Sequence, residues 1–172
     1  MKRVFEATAG FVVTIALVSI AFAANSRSTV EATINGKKVS IEYGRPTLHG
    51  RSVNDMLGKL GAGEFWRLGA DKSTTFSTAG DLMFGDVTVP KGEYSLWAQK
   101  QADGSWKLVF NKQHGQWGTN HDAAQDFASV PLKTEKESTP AEQVTISLKG
   151  ELEKAGQISI QWGDMELSAS FK

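Results

Sequence analysis

Between Val30 and Tyr43 apolar and polar residues alternate with period two on either side of Asn35-Gly36. Val30, Ala32 and Ile34 alternate with Glu31 and Thr33; after the turn, Val39, Ile41 and Tyr43 alternate with Ser40 and Glu42. Successive strand side chains point to opposite faces, so this pattern is a strand with one buried face. Asn-Gly supplies the two positive-φ residues that a tight hairpin needs. The same arrangement recurs along the chain. Leu82 and Phe84 face Val87 and Val89 across Gly85-Asp86, and Tyr94, Leu96 and Ala98 face Trp106, Leu108 and Phe110 across Asp103-Gly104. Val130 and Leu132 begin a further strand. Val144, Ile146 and Leu148, then Ile158, Ile160 and Trp162, and after Gly163-Asp164 the set Leu167, Ala169 and Phe171 complete it. No long helix competes. The expectation is an all-β fold, an antiparallel β-sandwich (jelly-roll-like) of about nine or ten short strands with little helix.

Two stretches break the alternation. Thr47 to Gly63 reads as a loop with at most one helical turn, and Asn111 to Asp126 is polar and punctuated by glycine, with a helical turn at Ala123 to Phe127 capped by Asp122. Chemistry concentrates in such loops because the strands are committed to packing.

Formal net charge is +0, so no electrostatic footprint selects nucleic acid or an anionic membrane surface. With no cysteine there is no disulfide framework, thiolate nucleophile or cysteine zinc site. At the start, Lys2 and Arg3 precede the apolar run Phe11 to Ile20 and the small-x-small pattern Ala21-Phe22-Ala23. Despite the acid at Glu6, this reads as a signal peptide over residues 1–23, cleaved to leave one domain over 24–172 with no transmembrane segment. The alternative, an uncleaved anchor, fits less well: the run carries Thr14 and Ser19 and lacks a basic stop-transfer flank. A periplasmic or secreted protein is expected.

Several motifs form a recognisable set: Tyr43-Gly44-Arg45-Pro46, Gly50-Arg51, Trp66-Arg67-Leu68-Gly69-Ala70 through Thr75-Phe76, Pro90-Lys91-Gly92-Glu93-Tyr94-Ser95-Leu96, Phe110-Asn111-Lys112, Trp117-Gly118, and Asp122 to Asp126. Together they resemble the secreted bacterial family known as the domain of unknown function numbered 2911. The resemblance covers nearly all of the chain after the leader and implies no activity. The family pattern has Asn-Glu where this chain has Asp71-Lys72, and commonly tyrosine where it has His121. A role that needs an amide at 71 or a carboxylate at 72 is therefore in doubt here.

Arg45 and Arg67 both lie beside glycines, one at a strand exit and one at a strand entry. A guanidinium is a planar fork of five donors suited to carboxylate or phosphate. Each arginine could equally pair with Asp71 or bind carbonyls to pin its own loop. Asp71, Lys72, Ser73 and Thr74 have the residue types of a hydrolase constellation, but no nucleophile elbow accompanies them, and turn chemistry accounts for them as well. His114, His121 and Asp122 share a loop at a spacing that matches no standard metal-ligand pair. Trp117, between Gln116 and Gly118, is either a flat ring for a sugar or a plug over the end of the fold. Trp97 could join it or cover a second layer; Trp106 and Trp162 fall in phase with the core.

The expectation is a protein that binds a small polar or anionic ligand, carbohydrate among the candidates, at one end of the fold. Arg45, Arg67, Asp71, Lys72, Asn111, Trp117, His121 and Asp122 would line that site, with no catalytic or metal-binding residue assigned and no cofactor. A hydrolase would need Asp71 or Asp122 on His121 or His114 within a cleft. A structural or interaction module of the envelope would need an exposed apolar patch.

Overall fold

The computed structural model describes residues 26–151 and 155–172. The leader expected over residues 1–23 lies outside them. Among the described residues there are ten antiparallel strands: β1 (Arg27–Ile34), β2 (Lys37–Gly44), β3 (Phe65–Trp66), β4 (Thr75–Thr78), β5 (Leu82–Phe84), β6 (Val87–Val89), β7 (Gly92–Lys100), β8 (Trp106–Asn111), β9 (Asp126–Glu151) and β10 (Ala155–Phe171). One short helix, α1 (Val53–Leu57), and a 3₁₀ turn at Ala123–Gln125 interrupt them.

The three hairpins read from the alternation are formed. β1 pairs with β2 across Asn35 (φ 50°) and Gly36 (φ 72°), β5 with β6, and β7 with β8. In β2, Val39, Ile41 and Tyr43 are buried while Ser40 and Glu42 face outward, as period two requires.

Eight strands make a single sheet in the order β1-β2-β4-β7-β8-β9-β10, with β3 added beside β4 on the same edge of β7. β5 and β6 form a separate ribbon, tied to the C-terminus by reciprocal bonds between Met83 and Lys172 (2.8 and 2.9 Å). All-β, antiparallel and poor in helix is therefore correct. Two stacked sheets are not what the strand order describes, because the large sheet curls towards a barrel. β9 drives the curl: 26 residues long, it pairs first with β8 and then, beyond Leu132, with β10. β9 and β10 are also the exceptions to the expected short strands. Gly163-Asp164, which separates two apolar sets in the sequence, is a bulge inside β10, with Gly163 at φ 57° and register shifts on both sides.

A seam brings the end of β2 and the chain that follows it to β9. Val144 N–H donates to the Pro46 carbonyl (3.1 Å) and Leu48 N–H to that of Glu142 (2.9 Å). The Tyr43 hydroxyl accepts from Ile146 N–H (3.1 Å) and donates to the Ile146 carbonyl (3.4 Å). Inside lie Ile41, Phe76, Leu96, Leu108, Phe110, Ile146, Ile158, Ile160 and their neighbours in one apolar cluster.

Candidate functional site

β3 and β4 occupy the same edge of β7, so the chain between them, residues 67–74, must leave the sheet and return to it. Leu68 (φ 55°) and Asp71 (φ 63°) take left-handed backbone without being glycine, a conformation that needs outside support. Thr74 supplies some of it: its hydroxyl lies 3.2 Å from the carbonyls of both Arg67 and Leu68. Close packing supplies the rest. A Cβ on Gly69 would stand 3.0 Å from the Gly44 carbonyl oxygen, and one on Gly44 would collide with the backbone of Ala70. The two glycines flanking the arginine positions thus let two backbones touch.

The polar loop after β8 docks on this excursion. Ser73 N–H donates to the Gln116 carbonyl (2.8 Å), Gly118 N–H donates to that of Asp71 (2.7 Å), and Lys72 bridges to Trp117. Gly118 itself sits against the Arg67 Cδ and the Asp71 carbonyl. The two regions singled out in the sequence therefore meet.

Beneath the docked loop, Gln116 spans the Ser73 and Ser95 hydroxyls, and the Trp97 indole donates to Ser95 Oγ (2.9 Å). This second layer buries the outward face of β7, which explains why Tyr94 through Ala98 are all buried. His121 is packed into the same layer between Phe65 (ring centroids 4.0 Å apart) and Trp97 (4.7 Å). Its Nε2 lies 2.8 Å from Asp126 Oδ1, an oxygen that also accepts from the fully buried Asn111 amide (2.7 Å). Asn111 donates as well to the Asp122 carbonyl (2.8 Å), and the Asp122 carboxylate caps the 3₁₀ turn through Ala124 N–H (3.0 Å).

The eight candidate residues separate accordingly. Asn111, His121 and Asp122 hold the loop in place. Arg45 donates to the Val144 carbonyl (3.3 Å) and so pins the seam. Lys72 and Trp117 are exposed, the latter by 52%, on the rim formed with Asp71. Arg67 alone lines a cleft.

That cleft, of about 310 Å³, opens between α1 and the Arg67 excursion. Pro46, Met56, Leu57, Leu60, Phe65 and Trp66 give it apolar walls; Arg67, Gly69, Thr119 and Trp162 complete the lining. Ser52 and Asp55 form a capping box that fixes the start of α1. The Ser52 amide and hydroxyl hold the Asp55 carboxyl below its ordinary value. Arg67 Nε donates to the Gly69 carbonyl (3.1 Å), which leaves the terminal nitrogens of its fork without a hydrogen-bond partner among the described residues. Trp162, stacked on Trp66 at 5.7 Å and 12°, is only 3% exposed. Its Nε1 is the one buried side-chain polar atom, among the described residues, that lacks a partner. A wider depression of about 430 Å³ lies over outward strand residues such as Ser40, Ser77 and Glu93, and has no such group.

Sequence reasoning missed Asp126 and Trp162. Asp126 begins a strand four residues after the more obvious Asp122, and Trp162 is in phase with the core, so neither carries a signal in one dimension. No cluster of three or more histidine, aspartate or glutamate side chains able to hold a metal ion occurs among the described residues. No helix there is long and apolar enough to cross a membrane.

Fold and site define a class: a small antiparallel β-protein, barrel-like in its main sheet, with a one-cation cleft under a short helix. The chain belongs to the family described as Protein of unknown function (DUF2911), whose model matches residues 25–171. No curated protein and no solved structure matches it.

Proposed function

We propose that this is an exported binding protein, which holds a small polar or anionic ligand against Arg67 in the cleft below α1. The observation that carries the reading is a cleft of ligand size lined by an arginine whose terminal nitrogens find no hydrogen-bond partner among the described residues. Apolar walls with a few convergent polar groups are the usual make-up of a small-molecule site. Export is supported by the basic, apolar and small-residue order of residues 2–23.

The rival readings have less support. The hydrolase required Asp71 or Asp122 on a histidine, whereas His121 is held by Asp126 between two rings. His114 is exposed, 3.8 Å from Glu93. For an interaction module, the exposed large apolar residues Met83, Trp117 and Phe127 belong to separate elements.

A thermal-shift screen of the protein from residue 24 onward against sugars, phosphates and carboxylates tests the proposal, because a ligand of the folded state raises the melting temperature with occupancy. The expected result is a shift confined to one chemical class and lost in Arg67→Gln. A folded protein that no class shifts would remove the reading.

A further inference from the structure

Building on that binding reading, we infer that the ligand is a small monocarboxylate with an apolar body, its carboxylate on the Arg67 fork and its hydrocarbon part against Trp66, Leu57 and Leu60.

The charge of the lining sets the head group. Among the described residues, Arg67 is the only ionisable one that lines the cleft, and no aspartate or glutamate is part of that lining. One guanidinium, whose two terminal nitrogens find no hydrogen-bond partner among the described residues, matches the two oxygens of a single carboxylate in a bidentate pair. A phosphate dianion would bring a second charge into a cleft with no second cation to meet it. Lys72 is exposed and is not part of the lining.

The walls set the body. Pro46, Met56, Leu57, Leu60, Phe65 and Trp66 present hydrocarbon, and the stacked Trp66 and Trp162 rings add flat aromatic surface. A sugar, with a hydroxyl on nearly every carbon, would leave those groups unpaired here.

The volume sets the size. About 310 Å³ is room for the body of a small molecule such as phenylacetate or hexanoate.

Titration of the protein with phenylacetate, 2-phenylethanol, acetate and inorganic phosphate, followed by tryptophan fluorescence, tests the assignment. Phenylacetate is expected to bind about tenfold or more tighter than 2-phenylethanol, since a charge-assisted pair separates them, and acetate and phosphate more weakly than either. In Arg67→Gln the acid and the alcohol should become equal. The comparison in the unaltered protein needs no variant, so poor folding of Arg67→Gln does not spoil it. Equal binding of acid and alcohol, or tighter binding of phosphate, would overturn the carboxylate assignment and leave the binding reading standing. Binding of none of these or of the sugars would overturn both.

Discussion

Tyr43→Phe should open the seam that turns an ordinary sheet into a nearly closed one. The Tyr43 ring is 2% exposed and its hydroxyl meets both the N–H and the carbonyl of Ile146, itself 1% exposed. Phenylalanine keeps the ring and removes only the oxygen. The 3.4 Å bond to the carbonyl is at the outer limit and contributes little; the 3.1 Å bond from the N–H is the one that counts. Leaving that buried N–H without an acceptor costs about 1–3 kcal/mol, so about 2 kcal/mol is expected, a change of about 30-fold in the folded-to-unfolded ratio. Tyr94→Phe is the control. Its hydroxyl donates to the Pro90 carbonyl (3.0 Å) at a site 8% exposed, where water can replace it, and less than about 1 kcal/mol should be lost. Urea unfolding would show a lower midpoint at unchanged slope for Tyr43→Phe. Exchange of the Ile146 amide should also accelerate relative to its neighbours in β9. Equal costs for the two variants, with no change in Ile146 exchange, would refute the claim that this phenol holds the seam.

Gly44→Ala places a methyl on the Ala70 backbone, where neither side can yield; a loss of about 3 kcal/mol or failure to fold is expected, read by circular dichroism and melting. Asp126→Ala removes the oxygen shared by Asn111 and His121 and should cost about 2 kcal/mol. Limited proteolysis should then cut within residues 112–122 before the sheet unfolds. The Asp55 carboxyl is held below its unfolded value, so its contribution is present above about pH 4 and lost as pH falls through the folded value. The Ser52 amide resonance should report that acid transition, and Asp55→Asn should abolish it.

Legibility in the sequence followed the burial of each face. The β1–β2 and β7–β8 hairpins were readable because one face is apolar and the other polar. The stretch Lys133 to Pro140 carries almost no apolar residue, so nothing in its pattern announces a strand; it is one because β10 supplies its partners. On β7 the sequence left Trp97 either at a ligand or in a second layer; what covers Ser95 and Trp97 comes from a loop more than a dozen residues downstream. Arg67 was singled out from its glycine-flanked setting, and the fold places it in the lining of a cleft. That Asn111 and His121 would bond to Asp126 was not legible, since that contact exists only when the loop is folded. The cleft was hidden for a similar reason: Met56, Leu57 and Leu60 meet Trp162 from the far end of the chain, and an indole without a partner is a fact of three dimensions.

The central claim is that a ligand occupies the cleft at Arg67 and Trp162. The protein has five tryptophans, hence five indole N–H resonances in a ¹H–¹⁵N spectrum. Phenylacetate titration followed at those five peaks is the most direct test. The account predicts that the Trp162 indole peak and the Arg67 Nε peak move together and saturably, while the Trp106 and Trp117 indoles stay in place. A shift confined to Trp117, or a Trp162 peak that stays fixed at concentrations where the fluorescence titration saturates, would contradict it.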